Sequence, residues 1–374
     1  MAPACGTGPT TTMAWPDPAC TETRMQQPWQ QPQLTRPAPV RQALHAVPPA
    51  QTGPTVDATT DTATDTTTDT TTNPTAAISS ALMRPQASIS PKYFYDAEGS
   101  LLFEAITRLP EYYPTRTERA VMARHGAAMA QALGKVDSVI ELGAGNCEKA
   151  QALCLQLRPR HLVAVDISGE FLHTSAQSLQ TALPHMAVHA VVADITQPFS
   201  LPPALPRQRR LVFYPGSSLG NFDPAEAGAL LHKARQLIDD DGGLLIGIDL
   251  IKDRQVLQAA YDDAAGVTAA FNLNALRHLN RLIGSNFHPP AWRHHAFFNE
   301  SHSRVEMHLV AHSTQQVCWP GGTRRFEAGE SIHTENSYKF ELPAFAGLLQ
   351  RSGFTRHQAW TDPQHWFAVV AAWP

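Results

Sequence analysis

Residues 141–149 read Glu-Leu-Gly-Ala-Gly-Asn-Cys-Glu-Lys, and they connect the apolar run Ser138-Val-Ile140 to a stretch of helical character. A second apolar run, Leu162-Val-Ala-Val165, ends in Asp166. A strand, a glycine turn, a helix and a second strand tipped with an acid form half of a nucleotide-binding βαβ unit. The glycines let the backbone approach a ligand closely, and the carboxylate at the second strand end can bind both hydroxyls of a ribose.

The turn contains two glycines, Gly143 and Gly145, whereas a dinucleotide fingerprint contains three. Asn146 and Cys147 stand where the third glycine is expected, so the turn is not shaped for a pyrophosphate. This difference favours an adenosine ligand without a diphosphate, as in S-adenosylmethionine (SAM)-dependent methyltransferases. From these residues alone, an ordinary strand-to-helix turn remains the alternative.

The segments that follow alternate between strand and helix, and Asp223-Pro-Ala-Glu226 opens one helix with an N-cap and a proline at its first position. Thr115-Arg-Thr-Glu118 similarly predicts a capping box for a helix that ends near Leu133-Gly134. After Asp249 the alternation stops, and it returns as a helix over 342–352 and two final strands. We therefore predict an α/β protein with a class I (Rossmann-like) SAM-dependent methyltransferase fold and an inserted α+β substrate-binding domain.

The predicted organisation begins with a disordered tail, because residues 1–85 are rich in proline and threonine and have little apolar surface to bury. Within it, aspartates recur at every fourth position from Asp57 to Asp69. The remaining predicted segments are 86–118 (N-terminal part of the substrate domain), 119–250 (methyltransferase core), 251–340 (substrate domain) and 341–374 (C-terminal part of the core).

Bulk composition excludes several classes of protein. With 29 basic and 33 acidic residues the net charge is −4, so we expect no nucleic-acid partner. No apolar run reaches the roughly 18 residues of a membrane span, and no signal peptide is recognisable. The five cysteines are scattered and the histidines lack partners at ligand spacing, so we expect free thiols and no metal. A cytoplasmic monomer without a membrane partner is the expectation.

Several longer motifs resemble a known family over residues 90–374. They are Pro91-Lys-Tyr-Phe-Tyr-Asp96, Thr107-Arg-Leu-Pro-Glu-Tyr-Tyr-Pro-Thr115, Gly216-Ser-Ser-Leu-Gly-Asn221, Asp249-Leu-Ile-Lys-Asp253, the stretch 260–272, Thr334-Glu-Asn-Ser-Tyr-Lys-Phe340 and Trp360-Thr-Asp362. Together they resemble the bacterial histidine Nα-methyltransferases of ergothioneine biosynthesis. The resemblance implies three methyl transfers from SAM to the α-amine of L-histidine, which give hercynine.

The resemblance also implies which residues bind SAM: Gly143 in the turn, Lys149 after it, Asp166 at the ribose, and Asp194 with Ile195 around the adenine. We assign Lys149 to the methionine carboxylate of SAM, because a cation beside the sulfonium would otherwise be unfavourable. The alternative is a surface lysine that pairs with Glu148 or Glu141, both close in sequence.

The substrate residues implied in the same way are Tyr112, Asn221, Tyr261, Glu335 and Ser337. Glu335 and Ser337 are two apart on a predicted strand, so both face the same side and can bind the two ring nitrogens of an imidazole. Asn221 and Tyr261 are assigned to the substrate carboxylate, and Tyr112 closes over the ring. The hydroxyl of Ser337 is left open as either donor or acceptor.

Tyr95 resembles the family's aromatic residue near the reacting amine, where the face of a ring favours a methylated cation, and simple packing is its alternative. We expect positioning to dominate catalysis and assign no general base. Two other functions stay open from the sequence. One is N-methylation of another amino acid or amine, and the second is a catalytically degenerate SAM-binding protein.

Overall fold

A computed structural model describes residues 74–374, which form nine helices and thirteen strands, labelled in chain order. The helices are α1 (Pro74–Leu82), α2 (Ala97–Ile106), α3 (Tyr113–Leu133), α4 (Glu148–Leu157), α5 (Gly169–Ala182), α6 (Pro224–Gln236), α7 (Arg254–Tyr261), α8 (Val267–Ile283) and α9 (Leu342–Arg351). The strands are β1 (Ala87–Ser88), β2 (Ser138–Leu142), β3 (His161–Asp166), β4 (Ala187–Val192), β5 (Arg210–Tyr214), β6 (Gly243–Asp249), β7 (Trp292–Asn299), β8 (Arg304–Ala311), β9 (Gln315–Trp319), β10 (Gly322–Phe326), β11 (Ser331–Tyr338), β12 (Arg356–Thr361) and β13 (Phe367–Trp373).

The central sheet has seven strands in the order β12-β13-β6-β5-β2-β3-β4. The five strands from β6 to β4 in that order are parallel, and β13 pairs antiparallel with both β6 and β12. Their side chains are almost entirely apolar and buried, as expected for a sheet covered on both faces. The predicted parallel sheet with a closing antiparallel pair is therefore confirmed.

The strand order reverses between β2 and β5, because β3 lies on the other side of β2. In open α/β sheets, ligands bind at such a switch point, outside the carboxyl ends of the strands. The loops that follow β2, β3, β5 and β6 contain the glycine turn, Asp166, the 216–221 loop and Asp249. The fold therefore places four of the motifs identified in the sequence at one edge of the sheet.

A second sheet, β1-β11-β8-β7, is built mainly from the segment inserted between β6 and α9. One of its faces packs against α7 and α8, and β9 and β10 form a separate hairpin. Strand β1 joins the sheet in parallel with β11, where Ala87 pairs with Ile332. This pairing supports grouping 86–118 with 251–340 as one substrate-binding domain, a division that we retain as a proposal.

The segment before residue 86 is partly structured, so the predicted boundary of the disordered tail is wrong for residues 74–85. Helix α1 buries Ile78 and Leu82 in a cluster with residues of α8 and with Trp319. The Trp319 indole donates to Ser79 Oγ at 3.0 Å, and the Arg324 guanidinium donates to the carbonyls that follow the helix. The rest of the predicted tail lies outside the described residues, as do Asp57 to Asp69.

Two further features differ from expectation or match it in detail. Helix α3 begins at Tyr113, two residues before the predicted capping box, and Glu118 does not cap it but accepts a hydrogen bond from the backbone of Gly216. The predicted capping box at Asp223 is present, with Glu226 as its partner. None of the helices between residues 74 and 374 is both long and apolar enough to cross a membrane.

Truncation at two points tests the role of α1. Removal of residues 1–82 deletes Ile78 and Leu82, and burial of each such side chain contributes about 1.5–3 kcal/mol, so we expect a clearly lower melting temperature. Removal of residues 1–73 should leave the melting temperature nearly unchanged, which makes it the matched control. Equal melting temperatures for the two truncations would show that α1 contributes no stability.

Candidate active site

The glycine turn after β2 is open on the side that faces the strand ends. Gly143 and Gly145 have φ of 69° and 52°, and a Cβ built on either would meet no atom within 4 Å. Glycine is therefore required by the backbone conformation and leaves space for a ligand. The Gly145 amide donates to Asp166 Oδ2 at 2.9 Å, and the Ser168 amide donates to Oδ1 at 2.9 Å. The carboxylate of Asp166 is thus fixed in orientation beside the turn.

Lys149 forms an ion pair, but with a residue that the sequence analysis did not consider. Its Nζ lies 2.7 Å from Oε2 of Glu118, on α3, and neither Glu148 nor Glu141 is its partner. The second carboxylate oxygen of Glu118 accepts from Gly216 N at 2.8 Å. Lys149 is one-third exposed, and its Nζ lies beside the 216–221 loop at the strand ends. Its assignment to the methionine carboxylate of SAM stays a prediction.

Asp194 lies in the turn after β4, not at the strand's last position as predicted, and both of its carboxylate oxygens already have partners. Thr196 donates to Oδ1 from its amide at 2.9 Å and from its hydroxyl at 2.5 Å, and Lys92 Nζ lies 3.2 Å from Oδ2. Burial raises the pKa of Asp194, but these hydrogen bonds outweigh it and hold the pKa below its usual value. Ile195 packs against the apolar core under the sheet. An adenine amino group would have to share Oδ2 with Lys92.

Three tyrosines predicted to be at the substrate lie in one aromatic cluster with Phe103 and Phe271. The ring of Tyr112 lies 6.2 Å from that of Tyr261 and 6.3 Å from that of Phe103, both edge to face. Tyr95 contacts Phe103 and Phe271 at 5.7 and 5.8 Å. Burial raises the pKa of all three phenols well above its usual value, and the negative charges of nearby groups add to the effect. Each tyrosine therefore remains a neutral phenol.

Tyr95 lies between the cofactor-binding and substrate-binding residues. After burial, the charges of Glu335 on one side and Asp166 on the other raise the pKa of its phenol, so both carboxylates are close to it. Its backbone carbonyl accepts a hydrogen bond from Ser168 Oγ at 3.3 Å, next to Asp166. A ring in this position fits the expectation that it lies near the point where the methyl group and the amine meet.

Glu335 and Ser337 lie on β11, whose pairing with β8 is interrupted between His333 and Glu335. Ser337 Oγ is 2.7 Å from the Tyr261 hydroxyl, so the strand and α7 meet at these two side chains. Burial raises the pKa of Glu335 to about 8, although the nearby Lys339 ammonium opposes the shift. The structure thus brings Tyr95, Tyr112, Tyr261, Glu335 and Ser337 to one site.

Asn221 ends a short 3₁₀ turn, Ser218–Asn221, in the loop after β5. This turn packs closely on β11, because a Cβ on Gly220 would lie 2.7 Å from the carbonyl oxygen of Tyr338. Asn221 is half-buried beside the strand that carries Glu335 and Ser337. The glycine at 220 therefore allows the loop and the strand to approach each other.

A buried charge network under the substrate residues was missed by the sequence analysis. Asp249, at the end of β6, is 1% exposed and contacts Lys252 Nζ through Oδ1 at 2.5 Å and Lys339 Nζ through Oδ2 at 2.7 Å. The Tyr113 hydroxyl donates to Oδ2 at 2.6 Å. Burial lowers the pKa of Lys252 to about 8, while Asp249 opposes that shift. Asp249, Lys252 and Lys339 occur in motifs quoted above, but nothing in the sequence showed that they meet.

Comparison with known proteins follows the same lines as this geometry. A sequence model of histidine-specific, SAM-dependent methyltransferases matches residues 74–373. The chain belongs to this family. It is 36% identical over 301 residues to the histidine N-alpha-methyltransferase of Mycolicibacterium smegmatis, covering 79% of this chain and 93% of that protein. The corresponding Mycobacterium tuberculosis protein is 37% identical over 302 residues, with the same coverage.

A fungal relative of this SAM-dependent methyltransferase is longer. Ergothioneine biosynthesis protein 1 of Neurospora crassa is 31% identical over 277 residues, which cover 71% of this chain and 31% of the fungal protein. The family match spans both the central sheet and the second sheet, so it includes every predicted site residue.

One group of side chains in the described part of this methyltransferase has the composition of a metal site. Ligand atoms of Glu306, His308 and His333 lie within 4.8 Å of one another. However, the rings of His308 and His333 are stacked, 4.8 Å apart with 24° between their planes, so their in-plane lone pairs do not converge on one point. Glu306 is already hydrogen-bonded by Asn299, Arg304 and His308. We interpret the group as a satisfied polar cluster on β8 and β11.

The raised pKa of Glu335 has a measurable effect on stability. Because its pKa is about 8 in the folded state and about 4.3 when unfolded, the folded state binds the extra proton between these values. Stability is therefore present below the unfolded pKa and falls as pH rises toward 8. Glu335→Gln should remove this fall, so its melting temperature should exceed that of the wild type most clearly above pH 8. Exposed Glu300→Gln is the control, and parallel pH profiles for all three proteins would contradict the assignment.

Proposed function

We propose that this chain methylates the α-amine of L-histidine three times with SAM to give hercynine, the first step of ergothioneine biosynthesis. The observation that carries the proposal is the placement of Glu335 and Ser337 on one strand beside Tyr261 and the aromatic cluster. A carboxylate and a hydroxyl on one face match the two ring nitrogens of an imidazole. The names of the two mycobacterial relatives support the same substrate.

On the cofactor side, SAM supplies an electrophilic methyl group on its sulfonium when it is bound. The open glycine turn at Gly143 accommodates its backbone-contacting part, and Asp166 accepts hydrogen bonds from the ribose hydroxyls. Asp194 and Ile195 would hold the adenine by hydrogen bonding and packing. Lys149, next to the 216–221 loop, would pair with the carboxylate of the methionine part.

On the substrate side, Asn221 and Tyr261 would bind the carboxylate of histidine, while Glu335 and Ser337 bind its ring. Tyr112 would cover the imidazole from the aromatic cluster. Tyr95, between Asp166 and Glu335, would present its ring face to the methylated amine, where a cation is favoured. The substrate amine then lies between two fixed groups of side chains.

Positioning supplies most of the catalysis in this proposal. Loss of a proton from an α-amine costs only about 1.4 kcal/mol for each pH unit below its pKa of about 8. Alignment of the amine with the methyl group can contribute roughly 7–11 kcal/mol. No side chain is therefore assigned as a general base. A monomer that acts in the cytoplasm without a metal completes the proposal.

Mass spectrometry of a reaction with SAM and all twenty amino acids tests the function. We expect histidine alone to gain the mass of three methylene units, with mono- and dimethyl species as intermediates. A gain on another amino acid would replace the histidine assignment by a different N-methyltransferase activity. Cofactor binding without turnover on any amino acid would instead indicate a degenerate SAM-binding protein.

A further inference from the structure

Lys339 is a buried lysine whose three N–H groups are all used. Its Nζ lies 2.7 Å from Asp249 Oδ2, donates to Ser337 Oγ at 2.7 Å and to the Tyr261 hydroxyl at 2.9 Å, and its side chain is 0% exposed. Its ammonium also lies 4.7 Å from the centre of the Tyr261 ring. An ammonium has three donors and no acceptor, so no hydrogen of Lys339 is left for a ligand.

These contacts determine what Tyr261 and Ser337 can offer. Each hydroxyl has one O–H donor and a limited number of lone pairs, and Lys339 occupies a lone pair on both oxygens. In the empty site the two hydroxyls also share one proton, since their oxygens are 2.7 Å apart. A ligand that brings acceptor atoms lets both protons turn outward, while both oxygens stay hydrogen-bonded to Lys339.

We propose that Lys339 is a specificity-determining positioning residue, which makes the Tyr261 and Ser337 hydroxyls donors toward the substrate. This inference rests on the proposed function and settles the role of Ser337, which the sequence left open. Glu335 then supplies the acceptor for the ring N–H, and Ser337 supplies the donor for the other ring nitrogen. A neutral imidazole has one N–H and one lone pair, which is the pattern that this pair recognises.

Lys252 provides a matched control, because it is the second buried lysine on the same carboxylate. Its Nζ contacts Asp249 Oδ1 and donates to the Tyr113 hydroxyl at 2.8 Å, and it also donates to the Leu250 carbonyl. It has no hydrogen bond to Tyr261 or Ser337 within the described chain. Lys252→Met and Lys339→Met therefore remove the same charge from the same network, but only the second releases the two hydroxyls.

The test is calorimetry on the full chain saturated with S-adenosylhomocysteine. The ligands are L-histidine and two isosteres, β-(pyrrol-2-yl)alanine and β-(pyrrol-3-yl)alanine, which keep one ring N–H and replace the other nitrogen by C–H. Wild type should prefer histidine to the better isostere by about tenfold or more, because a buried hydroxyl proton is left without an acceptor. In Lys339→Met this preference should fall below about threefold, since the Ser337 proton can turn toward the vacated Asp249 carboxylate.

The preference ratio separates the possible results, because a general loss of packing lowers all affinities together. Lys252→Met should keep the wild-type ratio even if every affinity falls. An undiminished ratio in Lys339→Met would overturn the role of Lys339 while sparing the proposed function. A wild type that binds histidine and the isosteres equally would overturn both. If Lys339→Met does not fold, Lys339→Met with Asp249→Asn removes both charges, and the same loss of preference is expected.

Discussion

Asp249→Asn is expected to lower the free energy of unfolding by about 3–5 kcal/mol, because it leaves two buried ammonium groups without their counter-ion. Asp249 is 1% exposed, and it contacts the ammonium groups of both Lys252 and Lys339. The amide keeps the shape of the carboxylate, so the loss comes from charge and not from a cavity. Urea unfolding at neutral pH measures the effect.

The pH dependence of the same variant gives a second measurement. Burial already lowers the pKa of Lys252 to about 8, and removal of the Asp249 charge allows it to fall further. A lysine with a depressed folded pKa binds more protons when unfolded, up to its normal value of about 10.4. Stability therefore rises with pH over that window, and the deficit of Asp249→Asn should shrink between pH 7 and 10.

Exposed Asp240, which pairs with Arg235, provides the control for Asp249→Asn. Asp240→Asn should change the free energy of unfolding little, because an ion pair in water contributes at most about 1 kcal/mol. An Asp249→Asn protein as stable as Asp240→Asn at pH 7 would show that the lysines find other partners or lose their protons at little cost.

The parts of the fold that the sequence predicted well are those with strong local patterns. Short apolar runs separated by helical stretches identified β2 through β6, and the last two strands of the chain were recognised in the same way. Buried parallel strands are apolar on both faces, so their signal does not depend on distant residues. The N-cap at Asp223 and the glycine at the end of α3 are equally local signals.

The features that the sequence did not predict depend on long-range contacts. Helix α1 has two buried apolar side chains, and their partners lie about 200 residues further along the chain. Its segment resembles the threonine-rich tail before it, so composition alone indicated disorder. Glu118 looked like the end of a capping box, but it pairs with Lys149 across the sheet edge. No periodic pattern encodes contacts of this kind.

The candidate site shows the same division. Motifs located Tyr112, Asn221, Glu335 and Ser337 on loops and strands that the fold brings together. Motifs did not show that Asp249 and Lys339, ninety positions apart, form an ion pair directly beneath them. The meeting of β6 with the end of β11 produces that pair, and only the three-dimensional arrangement reveals it.

The largest effect on substrate binding is expected from Glu335→Met combined with Ser337→Val. If these side chains hold the imidazole, the double change should weaken histidine binding by roughly 2–4 kcal/mol, with the charged acceptor contributing the larger part. That loss corresponds to about 30- to 1000-fold in Kd. S-adenosylhomocysteine should bind as before, because Gly143 and Asp166 lie on other elements.

Calorimetry with histidine and S-adenosylhomocysteine titrated separately distinguishes recognition of the ring from disruption of β11. Asn336→Ser is the matched control, because Asn336 lies between the two residues on the same strand and its side chain points to the opposite face. We expect it to retain histidine affinity, while the double variant loses it and admits apolar amino acids, whose carboxylate Asn221 and Tyr261 can still bind. Unchanged histidine affinity in the double variant would mean that the imidazole is bound elsewhere. Loss of both ligands in the double variant would mean that the strand itself had been displaced, since the cofactor residues do not lie on β11.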